Sequence, residues 1–212
     1  MPIKIGLIGK TNTGKTTFFN SATLQSAEVS TYPFTTKSPN MGIGNAVTLC
    51  VHREFNINDN PKNSMCVDGW RFIPIELIDL PGLIKGAWAG KGLGNQFLSV
   101  AAQSDALLHI VDASGSVDAE GRITEPGTGD PLADIGDIEE ELVMWYLKLI
   151  EGNRSRISKF MKSGCELPTA IIEVLRGIGV KENHVKMALE ETKLEAKNFE
   201  NWSENDTKSF AW

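Results

Sequence analysis

Cysteine is scarce and poorly spaced for covalent or metal work. Only Cys50, Cys66 and Cys165 occur in 212 residues, an odd count with no CxxC pair. That excludes a disulfide framework, argues against a zinc site, and suits thiols kept reduced in the cytosol. No apolar run approaches the length that spans a bilayer, so the expectation is no membrane partner. The first strand begins almost at once and leaves no room for a signal peptide; the expected location is cytoplasmic. Basic excess is missing too. The formal net charge is −6, so no direct nucleic-acid site is read from the chain, and only a local patch could serve one. The three histidines, His52, His109 and His184, are scattered. His109 lies in the apolar run Ala106 to Val111 and reads as a strand residue rather than a ligand.

What is present is ordinary in bulk and specific in detail. Hydrophobic residues make up 41% and charged residues 23%, which fits a globular chain with a real core, either one domain or a domain with an insertion. Residues Gly9-Lys10-Thr11-Asn12-Thr13-Gly14-Lys15-Thr16 match GxxxxGK(S/T). An apolar strand, Ile3 to Ile8, precedes the match, and Thr16 to Ala22 can open a helix after it. Triphosphate oxygens are dense negative charge, and a loop of small residues can turn several backbone N–H groups towards them while the helix adds its positive end. Gly9 and Gly14 permit the tight path. Lys15 is expected on the β- and γ-phosphates and Thr16 on Mg²⁺, with Thr17 completing the nucleotide-binding set. A second motif, Asp79-Leu80-Pro81-Gly82, ends the apolar strand Phe72 to Ile78. Asp79 is the acidic partner of the metal shell, and the Gly82 N–H can read the γ-phosphate. The alternative is a glycine-rich strand-to-helix turn with no ligand.

Residues 1–129 read as α/β, with strands at 3–8, 72–78 and 106–111 and a weaker fourth at 46–51. Helices are expected at 16–22 and 95–102, and Asp118 to Pro131 as a loop. Pro74 implies an irregular start to its strand. Residues 130–202 read as a helical insertion. Ile135, Ile138, Leu142, Trp145 and Leu149 follow a 3-4 spacing, Pro168 suits a first turn and Gly177 a helix end, and a further helix covers Glu182 to Glu191. At 203–212, Ser203 and Asp206 form a capping box for a helix whose apolar face begins with Phe210 and Trp212; it is expected to fray, leading on to a part of the core not in these residues.

Three segments resemble one family, the Obg-type GTPases, in their YchF-related branch. Thr31-Tyr32-Pro33-Phe34-Thr35-Thr36 is similar to the first switch, and the resemblance assigns Thr36 to Mg²⁺. The run from Asp79 through Leu83, Lys85, Gly86 and Ala87, continued by Gly90-Lys91-Gly92-Leu93-Gly94-Asn95-Gln96-Phe97-Leu98, resembles the glycine-rich second switch. The helical insertion, with Asp130-Pro131, resembles the helical domain of that branch. The resemblance implies a three-layer P-loop NTPase fold with a mostly parallel sheet, the helical insertion, and a core incomplete at the C-terminus. No NKxD occurs in these residues. The family carries that base-reading motif and a TGS domain further on, so the sequence reads as the N-terminal part of a longer protein, with GTP or ATP left open.

The family resemblance also implies a mechanism. Many GTPases place a glutamine after DxxG to orient water; here the position is Leu83, which neither donates nor accepts. Lys15, Thr36 and Gly82 are the expected catalytic groups, and slow hydrolysis accelerated by a ribosome or another protein activator is the expectation. Asn12 is of the residue type found in potassium-activated GTPases, the alternative being an asparagine that stabilises its loop. The glycines from 82 to 94 suit a segment that changes path with the γ-phosphate. A hydrolysing switch is the first reading, a non-hydrolysing nucleotide-dependent protein-binding module the second, and a P-loop kinase a poorer third.

Overall fold

The computed structural model describes residues 2–29, 39–57, 59–83, 85–89 and 94–212, the side chains of residues 94–97 excepted. It divides into two compact units, Met1–Gly82 with Ser104–Pro131, and Leu83–Gln103 with Leu132–Trp212.

The first unit is built on a five-stranded mixed sheet in the order β2-β4-β1-β5, with β3 paired to β4. Strands β1 (Ile3–Ile8), β4 (Trp70–Asp79) and β5 (Ala106–His109) run parallel. Strands β2 (Asn40–Leu49) and β3 (Met65–Val67) run antiparallel to β4. The parallel order expected of the sheet therefore describes its three strands β1, β4 and β5, and a hairpin-like extension supplies the rest. His109 is a strand residue opposite Ile8, as expected.

Helix α1 (Lys15–Thr23) covers one face of this sheet, with Phe19 fully buried against Leu7 and Leu77. Its close approach depends on glycine. A Cβ on Gly42 would stand 2.9 Å from Thr23 Cγ2 and 3.0 Å from Phe19 Cζ, and one on Gly44 would stand 3.0 Å from the Ala22 carbonyl oxygen. Glycine has poor strand propensity, so these residues hid the first half of β2; the strand starts at Asn40 and stops at Leu49, not Val51. Pro74 lies between the stretch of β4 that pairs with β3 (Trp70 to Phe72) and the stretch that pairs with β1 (Ile75 to Asp79). Its missing N–H thus falls between these two ladders, while on the other edge of β4 Pro74 stands opposite Asn45 of β2.

Helices make up the second unit: α3 (Gly94–Ala102), α4 (Pro131–Gly152), α5 (Arg154–Lys162), α6 (Leu167–Val174), α7 (Glu182–Thr192) and α8 (Glu204–Ala211). Its core joins Ile150, Ile157, Leu167, Ile171, Val185, Phe199, Trp202 and Phe210. On α4, Ile138 and Trp145 are buried as the 3-4 spacing requires, but Ile135, Leu142 and Leu149 are only half-buried, whereas Val143, Leu147 and Ile150 bury a second stripe. A helix packed on two sides does not show a single seam. The fraying expected of α8 is not found. Ser203 caps it reciprocally with Asp206, and Phe210 packs 5.2 Å from the Trp202 ring, which itself meets Phe199 at 5.1 Å. Arg154 pins the preceding turn by donating to the carbonyls of Phe199 (3.1 Å) and Trp202 (3.0 Å) and to Thr207 Oγ1 (2.8 Å). The missing signal was Phe199 and Trp202, whose apolar faces precede the helix they complete.

One polar contact in this unit stands out. Glu141 on α4 is 4% exposed, and its carboxylate accepts the backbone N–H groups of Gly86 and, at 2.9 Å, Trp88. Lys148 donates to the Trp88 carbonyl at 3.2 Å, and Lys85 pairs with Asp137 at 3.2 Å. The glycine-rich segment thus has its main chain held by α4. Removing a buried acceptor leaves its donors unmatched at about 1–3 kcal/mol each. Glu141→Ala is expected to lower unfolding free energy by about 3 kcal/mol on the same reasoning, and to speed hydrogen exchange at the Gly86 and Trp88 amides. Unchanged exchange at both amides would dismiss the contact.

Candidate nucleotide site

Strand β1 ends in the buried pair Leu7 and Ile8, and the chain then turns sharply through residues 9–14 into α1. Gly14 caps the helix at φ 91°, ψ 13°, a left-handed conformation that disfavours any Cβ. Gly9 has φ 149°, and a Cβ there would lie 2.4 Å from the Ile110 carbonyl oxygen. Within the loop, Thr13 Oγ1 donates to the Lys10 carbonyl at 3.0 Å, and the Lys15 ammonium donates to the same carbonyl. The loop is thus curled around its own lysine, with the first turn of α1 behind it. That is the shape and polarity of an anion cradle.

Lys15 is 6% exposed. Burial pulls its pKa down from 10.5 to about 8, with the nearby Asp79 carboxylate working in the opposite sense. Asp79, at the end of β4, is fully buried. Its Oδ2 accepts from Thr16 Oγ1 at 2.7 Å and from Asn40 Nδ2 at 3.3 Å. Its Oδ1 has no hydrogen-bond partner among the described residues, and neither has Thr11 Oγ1. A buried carboxylate oxygen without a donor, attached to a threonine hydroxyl at a helix start, is the chemistry of a hard-cation site with oxygen ligands. Thr16 and Asp79 therefore fit the magnesium ion that their motifs call for.

Gly82 brings the second motif against the first. A Cβ on it would lie 2.6 Å from both Thr11 Cα and Thr11 Oγ1 and 2.7 Å from the Thr11 nitrogen. Only a glycine can pass so near the loop, and its backbone is thereby placed beside Thr11. Gly9, Lys10, Thr11, Asn12, Thr13, Gly14, Lys15, Thr16, Asp79 and Gly82 are gathered in one place, while Thr17 lies exposed on the first turn of α1. Thr36 and the segment 31–36 lie outside the described residues. Leu83 is buried, 3% exposed.

Two residues were not anticipated. Asn40 opens β2 opposite Asp79 and donates to its carboxylate. Gly121 belongs to the stretch expected to be featureless loop. That stretch folds back on itself through a bridge between Val117 and Ile123, and the Gly121 carbonyl accepts from Asn12 Nδ2 at 2.9 Å. Asn12 itself sits at φ 64°, so this bond steadies an unusual backbone conformation in the cradle. The Asp118-x-x-Gly121 turn, with Asp118 accepting from the N–H groups of Glu120 and Arg122, carried a local turn signal but nothing that pointed at residue 12.

A glycine-rich loop between a parallel strand and a helix, facing an acidic strand end, defines a P-loop nucleotide-binding protein. Residues 4–128 match the family model described as 50S ribosome-binding GTPase, and the chain belongs to that family. It is 41% identical over 185 residues, 87% of its length, to an uncharacterized GTP-binding protein of Methanocaldococcus jannaschii, of which it covers 47%. It is 36% identical over 165 residues, 76% of its length, to the ribosome-binding ATPase YchF of Bacillus subtilis, of which it covers 42%. The crystal structure of a GTP-binding protein from Pyrococcus horikoshii superposes on 99% of this chain and 52% of that one, with a TM-score of 0.77 and 30% identity. The chain spans about half the length of these relatives.

The lowered pKa of Lys15 gives a pH test. Bound phosphate would restore the charged form, so binding takes up a proton above pH 8, and triphosphate affinity should fall about tenfold per pH unit from there upward. In the empty protein the unfolded chain holds more protons between pH 8 and 10.5; the penalty of burying the charged lysine is full below that window, and stability from this group rises across it. Titration calorimetry in buffers of different ionisation enthalpy reads the uptake directly. A pH-independent affinity from pH 7 to 9 would contradict it.

Proposed function

We propose that this chain is the nucleotide-binding part of a molecular switch that binds GTP or ATP with magnesium and hydrolyses the β–γ phosphate bond slowly. The observation that carries the reading is the Thr16–Asp79 pair of 2.7 Å, set beside a loop against which Gly82 is pressed. Thr16 and Asp79 would hold the ion, with Thr36 added from the first switch. When bound there, magnesium would supply positive charge that offsets the negative charge of the phosphates. The chain's own groups do the rest. Loop amides and the α1 terminus hold the phosphate chain, Lys15 places positive charge on it, and the Gly82 N–H meets the terminal phosphoryl group.

Position 83 supports slow chemistry. Leu83 is apolar and buried, so it offers no hydrogen bond to an attacking water, and an outside group must supply the orientation that glutamine gives elsewhere. The relatives' names suggest where that group comes from. The family is described by ribosome binding, and the Bacillus protein is named a ribosome-binding ATPase. A ribosome-associated role in the cytoplasm is the setting proposed here. Among the described residues no helix is long and apolar enough to cross a membrane. Potassium is the weaker element: the Asn12 amide nitrogen braces the loop on Gly121, and a potassium role needs its oxygen turned to the phosphates.

The reading is tested by substitution. Lys15→Ala and Thr16→Ala are each expected to abolish magnesium-dependent triphosphate binding, with far-ultraviolet circular dichroism unchanged. Calorimetric affinity equal to that of the parent in both would remove the assignment. Single-turnover phosphate release separates a hydrolysing switch from a nucleotide-gated binding module, since the module releases none over hours. Leu83→Ala should alter the single-turnover rate far less than Thr36→Ala; the reverse order would exchange the two roles.

A further inference from the structure

The excursion between β2 and β4 brings four side chains of metal-binding type to one point, remote in function from the phosphate loop. Cys50 follows β2, His52 opens the short helix α2 (His52–Phe55), Asp59 lies in the loop beyond, and Cys66 sits in β3. One ligand atom from each lies within 4.8 Å of all the others. Cys50 Sγ is 3.0 Å from Asp59 Oδ2, Cys66 Sγ is 3.5 Å from His52 Nδ1, and His52 Nδ1 is 3.8 Å from Asp59 Oδ2. Ligands held at zinc-bond lengths on a tetrahedron stand about 3.3–3.8 Å apart. The cluster is thus close to the size of a coordination shell. We propose that Cys50, His52, Asp59 and Cys66 form a closed, structural zinc site that pins the excursion to the sheet.

Ligand chemistry selects the metal. Two sulfurs, one imidazole and one carboxylate suit zinc, whereas magnesium and calcium demand oxygen alone. Four protein ligands fill a tetrahedron and leave no open position for substrate, which marks the site as structural. The charge balances as well. Two thiolates and a carboxylate outweigh the ion by one negative charge, and Arg71 supplies the compensating positive one. Its Nη2 donates to Asp59 Oδ1 and Oδ2 at 2.7 and 2.8 Å and to Cys50 Sγ at 3.0 Å. Its Nη1 is anchored on Ser64 Oγ at 2.9 Å. Outer-shell donors of this kind orient ligands and tune a centre. An Arg71–Asp59 ion pair alone explains those two residues but not the convergence of both thiols and the ring on them.

The excursion also needs a clamp. Cys50 is buried, but its large apolar residues Val51, Phe55 and Ile57 are exposed, so burial contributes little to holding this segment. A metal that binds only the folded arrangement supplies that free energy instead. The ligands arrive one at a time from a strand end, a helix, a loop and a second strand, with no CxxC pair, so spacing along the chain does not bear on a site of this kind.

The test uses the 212-residue chain purified under reducing conditions without chelator. Elemental analysis is expected to find stoichiometric zinc. Cobalt exchanged into the protein should show thiolate charge-transfer bands and the intense visible bands of a tetrahedral ion. Cys66→Ser and His52→Ala, both at half-buried positions, should each lose the metal and its spectrum, while Cys165→Ser in the helical unit keeps them. Arg71→Gln should weaken zinc by about 10–100-fold with the tetrahedral spectrum retained. Chelation should lower the Tm of the parent but not of Cys66→Ser. Absence of stoichiometric zinc after dialysis against it, or equal zinc in the parent and in the His52→Ala, Cys66→Ser double variant, would overturn the site. Neither result depends on nucleotide binding.

Discussion

A charge kept out of water governs the first unit. Lys15 is almost wholly buried and Asp79 entirely so, and burial takes the lysine pKa down to about 8 even with a carboxylate close by. Desolvating an ion is tolerable only when something compensates for the lost water. The Lys10 carbonyl, Thr16 and Asn40 do part of this, and one Asp79 oxygen stays unmatched among the described residues. On the proposed function, the site is organised for charges it does not itself contain. Fixed donors and a restrained lysine can then meet a polyphosphate with little reorganisation, the economical route to electrostatic stabilisation.

The elements that support this arrangement are local in sequence, which is why they could be read there. Strand β1 is an apolar run interrupted only by Lys4 and Gly6, and Gly9 to Thr16 carries its own geometry, so neither needed long-range information. The same holds for the capping box at Ser203 and for α7, found at Glu182–Thr192. What escaped depends on distant partners. Asn40 gains meaning only when β2 pairs with β4 and puts it opposite Asp79. Gly121 matters because it lies against Thr11 and Asn12, more than a hundred residues away in the chain. The second buried stripe of α4 and the seating of α8 likewise follow from neighbours that periodicity does not name.

The cysteines show the same limit from the other side. Ligand spacing is diagnostic when a metal is grasped by two tight turns, each giving a pair of ligands. Here single residues converge from four positions, and only the pairing of β3 and β2 with β4 puts Cys66 near Cys50. Arg71, on the central strand of that trio, holds Asp59 and the buried sulfur together. The sheet extension and the loop it carries are therefore one mechanical object, although little apolar packing joins them.

The two glycines under α1 set a tolerance. Gly42 and Gly44 present only hydrogen atoms to the helix, and a single methyl at either would stand closer to it than van der Waals contact allows. Lys15 and Thr16 are the first residues of that helix, so the height at which it rides over β2 fixes where the ammonium and the hydroxyl stand relative to Asp79. A hydrogen bond of 2.7 Å admits an error of a few tenths of an ångström before it weakens. The alignment of the Thr16 hydroxyl on Asp79 thus rests on side chains that are not there, two residues and four residues along β2 from Asn40.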